Sequence, residues 1–322
     1  MTEPTKRTLS DAVPASWITA YDHVWVTVYS IALGSEPEFR QAKRIVLPDA
    51  MLIACWGSVD YLDGSSVQPR FTPEGDVFIE GEITKRNSKE GAWLAVFQPC
   101  NTDQPTNEYA LKVNASVLSS LLIALTTRNF AYSRLFDNCL SLTSDMTTAA
   151  SPPVLNPYGF DTPSRDGLDV FRHGADALAA MSGKERRMIE LSLHWFDKSN
   201  RSLGVDSFLS CWIAIETLAM PDTTDIKPIN VRLGTVYGIT SREAAERFCV
   251  GRLFGLRSRI VHDGADLTIQ AQLSDYMFSL YKDLLHHALG MPTDHLGRIA
   301  LAPDFRFDDL LKPLHPTASV AQ

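Results

Sequence analysis

The chain of 322 residues is 45% hydrophobic and 21% charged, with a formal net charge of -8, a balance that fits a soluble globular protein long enough for two domains. Its five cysteines (Cys55, Cys100, Cys139, Cys211 and Cys249) are scattered, without a C-x-x-C pair or a short His/Cys spacing, which argues against a disulfide framework or a structural zinc and for a reducing compartment. Residues 1–10 are polar, and the longest apolar stretch, residues 117–125, is interrupted by Ser119 and Ser120, so neither a signal peptide nor a membrane span is expected and the chain reads as cytoplasmic.

In chain order, residues 1–15 read as a flexible arm carrying Pro4 and Pro14. Residues 16–142 read as an α+β domain. Residues 23–29, rich in β-branched and aromatic side chains, predict a strand. Residues 76–84 and 92–97 predict two more, joined by a polar turn over 85–91, and residues 109–113 a fourth. Asn114 or Ser116 then caps a helix from Val117 to about Thr127. This domain holds no Gly-rich phosphate loop, nucleophile elbow or metal-ligand spacing. Residues 143–181, with Pro152, Pro153, Pro157, Gly159 and Pro163, read as a Pro/Ser/Gly-rich connector.

From residue 182 to 292 the pattern is helical. Ser182 with Glu185 behind it opens a helix whose apolar stripe is Met188, Leu191, Trp195 and Phe196. Gly204 breaks it, and Asp206 or Ser207 starts a largely apolar helix with Trp212 and, inside it, Glu216. Pro221 ends that helix, and a loop to about Ile239 carries Pro228 and Gly234. Ser241 caps a third helix that runs on to Gly264, a natural stop. A last helix, from Thr268 to about Leu289, sets Ile269, Leu273, Tyr276, Met277, Leu280 and Leu284 on one face. Residues 293–322 form a tail without a strong pattern. The fold class is an α+β N-terminal domain followed by an all-α bundle of about four helices.

The negative charge is unevenly spread. Residues 1–145 carry 12 basic and 17 acidic side chains, whereas 182–290 carry 13 of each. Within the balanced region, Arg242, Arg247, Arg252, Arg257 and Arg259 face only Glu243 and Glu246 over residues 242–259, a modest local positive field. Residues 254–264 place Arg257, Arg259 and His262 in an otherwise apolar helix end, where cations are costly unless paired or used.

The run Arg257-Ser258-Arg259-Ile260-Val261-His262, after the helix Phe208-Leu209-Ser210-Cys211-Trp212-Ile213-Ala214-Ile215-Glu216-Thr217-Leu218, resembles the R-x4-H signature of the HEPN superfamily, in its Apea-like branch. The resemblance covers residues 183–290 and leaves the N-terminal domain outside it. It implies a dimerising helical bundle and, in many members, a metal-independent endoribonuclease of toxin, antiphage-defence or RNA-processing systems, with RNA as partner and no cofactor or metal. Other members are catalytically silent modules for dimerisation or RNA binding. In this reading the N-terminal domain is a sensor or regulator. A second, looser match, Arg187 to His194, lacks the glycine stop and the preceding helix, and reads as a helix face.

The residue chemistry suits the resemblance. Metal-free RNA cleavage needs a base for the 2′-hydroxyl, an acid for the leaving oxygen and a cation for the phosphorane. His262 is the nearby group that titrates near neutrality, and Arg257 carries a permanent charge that forks onto phosphate. Arg259 either adds phosphate grip or covers the helix surface. Glu216 either orients Arg257 or makes a structural ion pair with it. Residues five apart on a helix point about 140° apart, so Arg257 and His262 do not share a face, and a two-fold dimer that apposes two helix ends would complete a site. His286 and His287 read as surface, His173 and His194 have no acid or thiol at a suggestive spacing, and the cysteines read as passive.

Overall fold

The structure, a computed structural model, describes residues 13–32, 43–62, 68–71, 77–80, 86–101, 108–125, 131–142, 154–157, 168–220, 222–263 and 268–312. The chain is α+β and divides into two compact units. One comprises Met1–Ala115 with Phe130–Arg165, the other Ser116–Asn129 with Asp166–Gln322. The arm over 1–12, Pro221 and the proposed stop at Gly264 lie outside the described residues.

The first unit is built on an antiparallel sheet. Its strands are β1 (His23–Ala32), β2 (Lys43–Val46), β3 (Met51–Leu62), β6 (Arg86–Cys100), β7 (Ala131–Ser141) and β8 (Val154–Pro157). They run in the order β2-β3-β6-β1-β7, with β8 paired to β3. β4 (Gln68–Phe71) and β5 (Val77–Glu80) pair separately. Alternation gives the sheet two unlike faces. Val24, Val26 and Val28 of β1 share one face with Phe97 and Ala95 of β6 and Met51 and Ile53 of β3, and Trp17 of the short helix α1 (Ala15–Ala20) packs into that core. The other face mixes buried apolar side chains, Tyr29, Leu52, Leu94 and Val96, with polar ones. The Trp25 indole donates to Thr27 (3.2 Å), whose hydroxyl donates to Asp137 (2.8 Å). Gln98 donates to the Leu111 carbonyl (2.8 Å) and accepts from Asn114 (2.7 Å). These bonds seat the first turns of α2 (Glu108–Leu125) on the sheet.

Four expectations change here. Residues 109–113 open α2 instead of forming a strand: Tyr109 and Val113 are exposed, while Leu118, Leu121, Leu122 and Leu125 form the helix's buried side. Asn114 and Ser116 therefore lie inside a helix and cap nothing. Residues 86–91 belong to β6 and pair with β3, and β5 pairs with β4, so the turn expected over 85–91 does not join the two predicted strands. The stretch read as a connector carries β8 and a helix, α3 (Leu168–Ala180). α2 is long and apolar enough to cross a membrane by length and composition, and more than half of it is buried within the molecule.

The second unit is helical: the end of α2, α3, α4 (Gly183–Arg201), α5 (Gly204–Ala219), α6 (Lys227–Tyr237), α7 (Ser241–Phe248), α8 (Val250–Asp263), α9 (Ala271–Ala288) and α10 (His295–Ala300), closed by a 3-10 turn over Phe307–Leu311. Of the stripe expected on α9, Leu273, Tyr276, Met277, Leu280 and Leu284 are buried, whereas the helix starts at Ala271 and Ile269, half-buried, precedes it. The stripe of α4 is rotated. Its buried apolar residues are Ile189, Leu193 and Phe196, with Phe196 stacked on Tyr281 at 4.3 Å, whereas Leu191 is exposed. α4 and α5 are tied by Ser199 and Ser207, each hydroxyl donating to the other residue's carbonyl (2.8 and 3.0 Å).

The loop expected through Pro228 and Gly234 is α6. Proline is tolerated in the first turn of a helix, where its missing N–H has no intrahelical partner. Gly234 allows close approach of the chain that follows, since a Cβ there would lie 2.8 Å from the Ile239 carbonyl oxygen. Residues 293–312 of the tail are built into the second unit. Asp283, fully buried, accepts hydrogen bonds from the hydroxyls of Tyr237 and Thr293 and from the backbone N–H groups of His295 (3.0 Å) and Leu296 (2.9 Å). One carboxylate thus anchors the start of α10 to α9 and α6.

Candidate functional site

The helix expected to run unbroken from residue 241 to 264 is two helices. α7 begins after Thr240, whose hydroxyl accepts from the Glu243 N–H (3.2 Å) while Glu243 accepts from the Thr240 N–H (2.9 Å). That is a capping box, and it moves the cap from Ser241 to Thr240. At Cys249 the backbone turns left-handed (φ 50°), which ends α7, and α8 starts at Val250. α8 buries Val250, Leu253, Leu256 and Ile260, a stripe at helical spacing. Arg257 stands at the edge of the stripe, half-buried, whereas Arg259, Val261 and His262 are exposed.

Beside α8 the side chains of α5 meet Arg257. Trp212 is fully buried, its ring 6.1 Å from that of Phe254. Its indole N–H donates to Glu216 Oε1 at 2.7 Å. The same oxygen lies 3.9 Å from Arg257 Nη2, and both partners of this ion pair keep about a quarter of their side-chain surface in solvent. Trp212 was legible in the sequence only as a core residue. The signal for its second role is the four-residue spacing to Glu216, which puts both on one helix face.

Arg257, Glu216 and Trp212 are thus brought together, with His262 one and a half turns further along α8, in its last turn. Among the described residues neither Arg259 nor His262 makes a hydrogen bond or an ion pair. Two of the other arginines are engaged. Arg242 pairs with Glu246 (3.1 Å), and Arg252 pairs with Asp308 while stacking over Phe307 at 4.4 Å. With Arg257 paired to Glu216, Arg247 and Arg259 are the arginines of this stretch that make no ion pair among the described residues.

Elsewhere, Arg187 and His194 are exposed on α4, consistent with a helix face. His286 is buried rather than on the surface. Its Nδ1 lies 3.1 Å from the Pro292 carbonyl oxygen, its ring 5.2 Å from that of His295, and burial holds its pKa below the usual histidine range. His287 is half-buried, and its pKa too is held down by burial. Cys100 and Cys139 approach to 3.8 Å between sulfurs, and burial, then the neighbouring thiol, pushes Cys100 up to about 12, which keeps it protonated. Burial likewise raises Cys211. Among the described residues no cluster of three or more His, Cys, Asp or Glu side chains is arranged to hold a metal ion. Comparison of the chain with protein-family models, with curated proteins and with solved structures gave no match.

Proposed function

We propose that the protein is a metal-independent endoribonuclease of HEPN type, acting as a homodimer in a toxin or antiphage-defence role, with its N-terminal unit as sensor or regulator. One observation carries this reading. Arg257 is held at ion-pair distance by Glu216 without a hydrogen bond to it, and His262 is exposed on the same helix. A guanidinium kept in place by charge, with its donors making no hydrogen bond among the described residues, is suited to grip a phosphate. An exposed imidazole at a helix C-terminus can carry and release a proton there.

In the reaction, His262 takes the proton of the ribose 2′-hydroxyl, and the 2′-oxygen attacks the adjacent phosphorus. Arg257 neutralises charge on the phosphorane oxygens. The bond to the 5′-oxygen breaks as a proton from solvent reaches it, and His262 gives the proton it took back to solvent. The products are a 2′,3′-cyclic phosphate and a 5′-hydroxyl.

The test is cleavage of mixed-sequence RNA by the full chain in excess EDTA. Cutting is expected to persist, and Arg257→Ala and His262→Ala, each with an unchanged unfolding temperature, lose about 10²-fold or more in rate. The Arg257–Glu216 pair favours a second reading, a silent module that dimerises and binds RNA. Wild-type protein that binds RNA as a dimer but leaves it intact selects that reading.

A further inference from the structure

We infer that Trp212 is a positioning residue that keeps Arg257 available to phosphate by holding Glu216. The inference rests on the phosphate-binding reading of Arg257. Glu216 Oε1 faces two cationic or donor groups at unequal distances: the indole N–H at 2.7 Å and Arg257 Nη2 at 3.9 Å. The first is a hydrogen bond, and the second is an ion pair too long to be one. Trp212 and Glu216 sit one turn apart on α5, so their bond is internal to that helix and independent of α8.

The indole has a single donor and no acceptor, and Trp212 is fully buried. Turning Glu216 fully towards Arg257 would leave that N–H buried and unpaired, a loss the protein avoids. The ring cannot follow, because it is packed against Phe254 of α8. The indole bond therefore fixes the carboxylate plane. It prevents the two-pronged carboxylate–guanidinium fork that would otherwise be the favoured geometry. Arg257 is left oriented by charge, with its N–H groups open to a phosphate. Removing the indole donor should close the fork and sequester Arg257.

The experiment uses the full chain and an oligonucleotide with 2′-O-methyl riboses, which cannot be cut, with binding read by fluorescence anisotropy. Trp212→Phe, which keeps an aromatic ring but no N–H, is expected to weaken binding about tenfold. Trp212→Phe/Glu216→Gln, which removes the charge that closes the fork, is expected to recover about threefold of that loss, short of wild type because Glu216 also holds Arg257 in place. A purely structural tryptophan gives no such rescue. Where Trp212→Phe does not fold, Trp212→Met, which also lacks a donor and fills space adaptably, takes its place. A crystal structure of the folded single variant reads the same inference without nucleic acid: Arg257 is expected within hydrogen-bond distance of Glu216. Unchanged affinity in the single variant, absence of rescue, or an unchanged Arg257–Glu216 separation overturns the inference. Wild type that fails to bind the oligonucleotide counts against the ribonuclease reading, and the crystal structure then decides the role of Trp212.

Discussion

Asp197, on the buried side of α4, is a carboxylate taken out of water. Burial pushes its pKa up to about 6, although Arg201 one turn on opposes the shift. Between the ordinary carboxylate value and about 6, the folded chain holds a proton that the unfolded chain has released. Stability therefore falls as pH rises through that window, and the loss is complete above it. Asp197→Asn carries no such charge. Measured by urea unfolding from pH 4 to 7, the variant is expected to gain on wild type by roughly 3 kcal/mol across the window and to run parallel above it. A constant difference at every pH contradicts this account. Arg257 and Glu216 differ from Asp197 in each keeping about a quarter of its side-chain surface in water, which screens the pair and lowers its contribution to stability.

Among the elements, the break at Cys249 decides how α8 leaves α7. A non-glycine residue in the left-handed region costs about 1 kcal/mol or more, and glycine is the usual occupant of this position after a helix. Cys249→Gly is expected to leave thermal stability unchanged or raise it by up to about 1 kcal/mol, and Cys249→Val to lower it by more than that, by calorimetry. The break was not legible in the sequence because nothing in Phe248-Cys249-Val250 is a helix breaker; it is set by tertiary packing. Elements whose apolar or β-branched residues recur at one spacing in the sequence were legible, as in α9 and β1. Those where local preference and burial disagree were not: Tyr109 and Val113 favour strand by type but sit on the outside of α2, and Pro228 marks a helix start as readily as a loop. Within β3, Met51, Leu52 and Ile53 are all buried, so the alternation that marks a strand with one covered face is missing at its start. At the candidate site, the pairing of Glu216 with Arg257 followed from the two helices, whereas the hold of Trp212 on Glu216 needed coordinates.

At the scale of the whole molecule, the proposed dimer makes a prediction that a self-contained site does not. If Arg257 of one subunit works with His262 of its partner, mixing Arg257→Ala with His262→Ala subunits rebuilds one intact site in each heterodimer. After denaturation and joint refolding, the mixture is expected to recover roughly a quarter of wild-type cleavage from two inactive parents, because half the dimers are mixed and each has one of two sites whole. No recovery places both residues of a site in one subunit. The boundary between the two units has a different consequence. It falls inside α2, and each unit draws on two separate stretches of chain. Gly174 of α3 lies so close to Leu125 of α2 that a Cβ there would come within 2.3 Å of it. During synthesis, residues 116–129 emerge well before the rest of their own unit, with Leu121, Leu122 and Leu125 waiting for partners that are not yet made. Neither unit is therefore a stretch of chain that a truncation or a gene fusion could carry away whole.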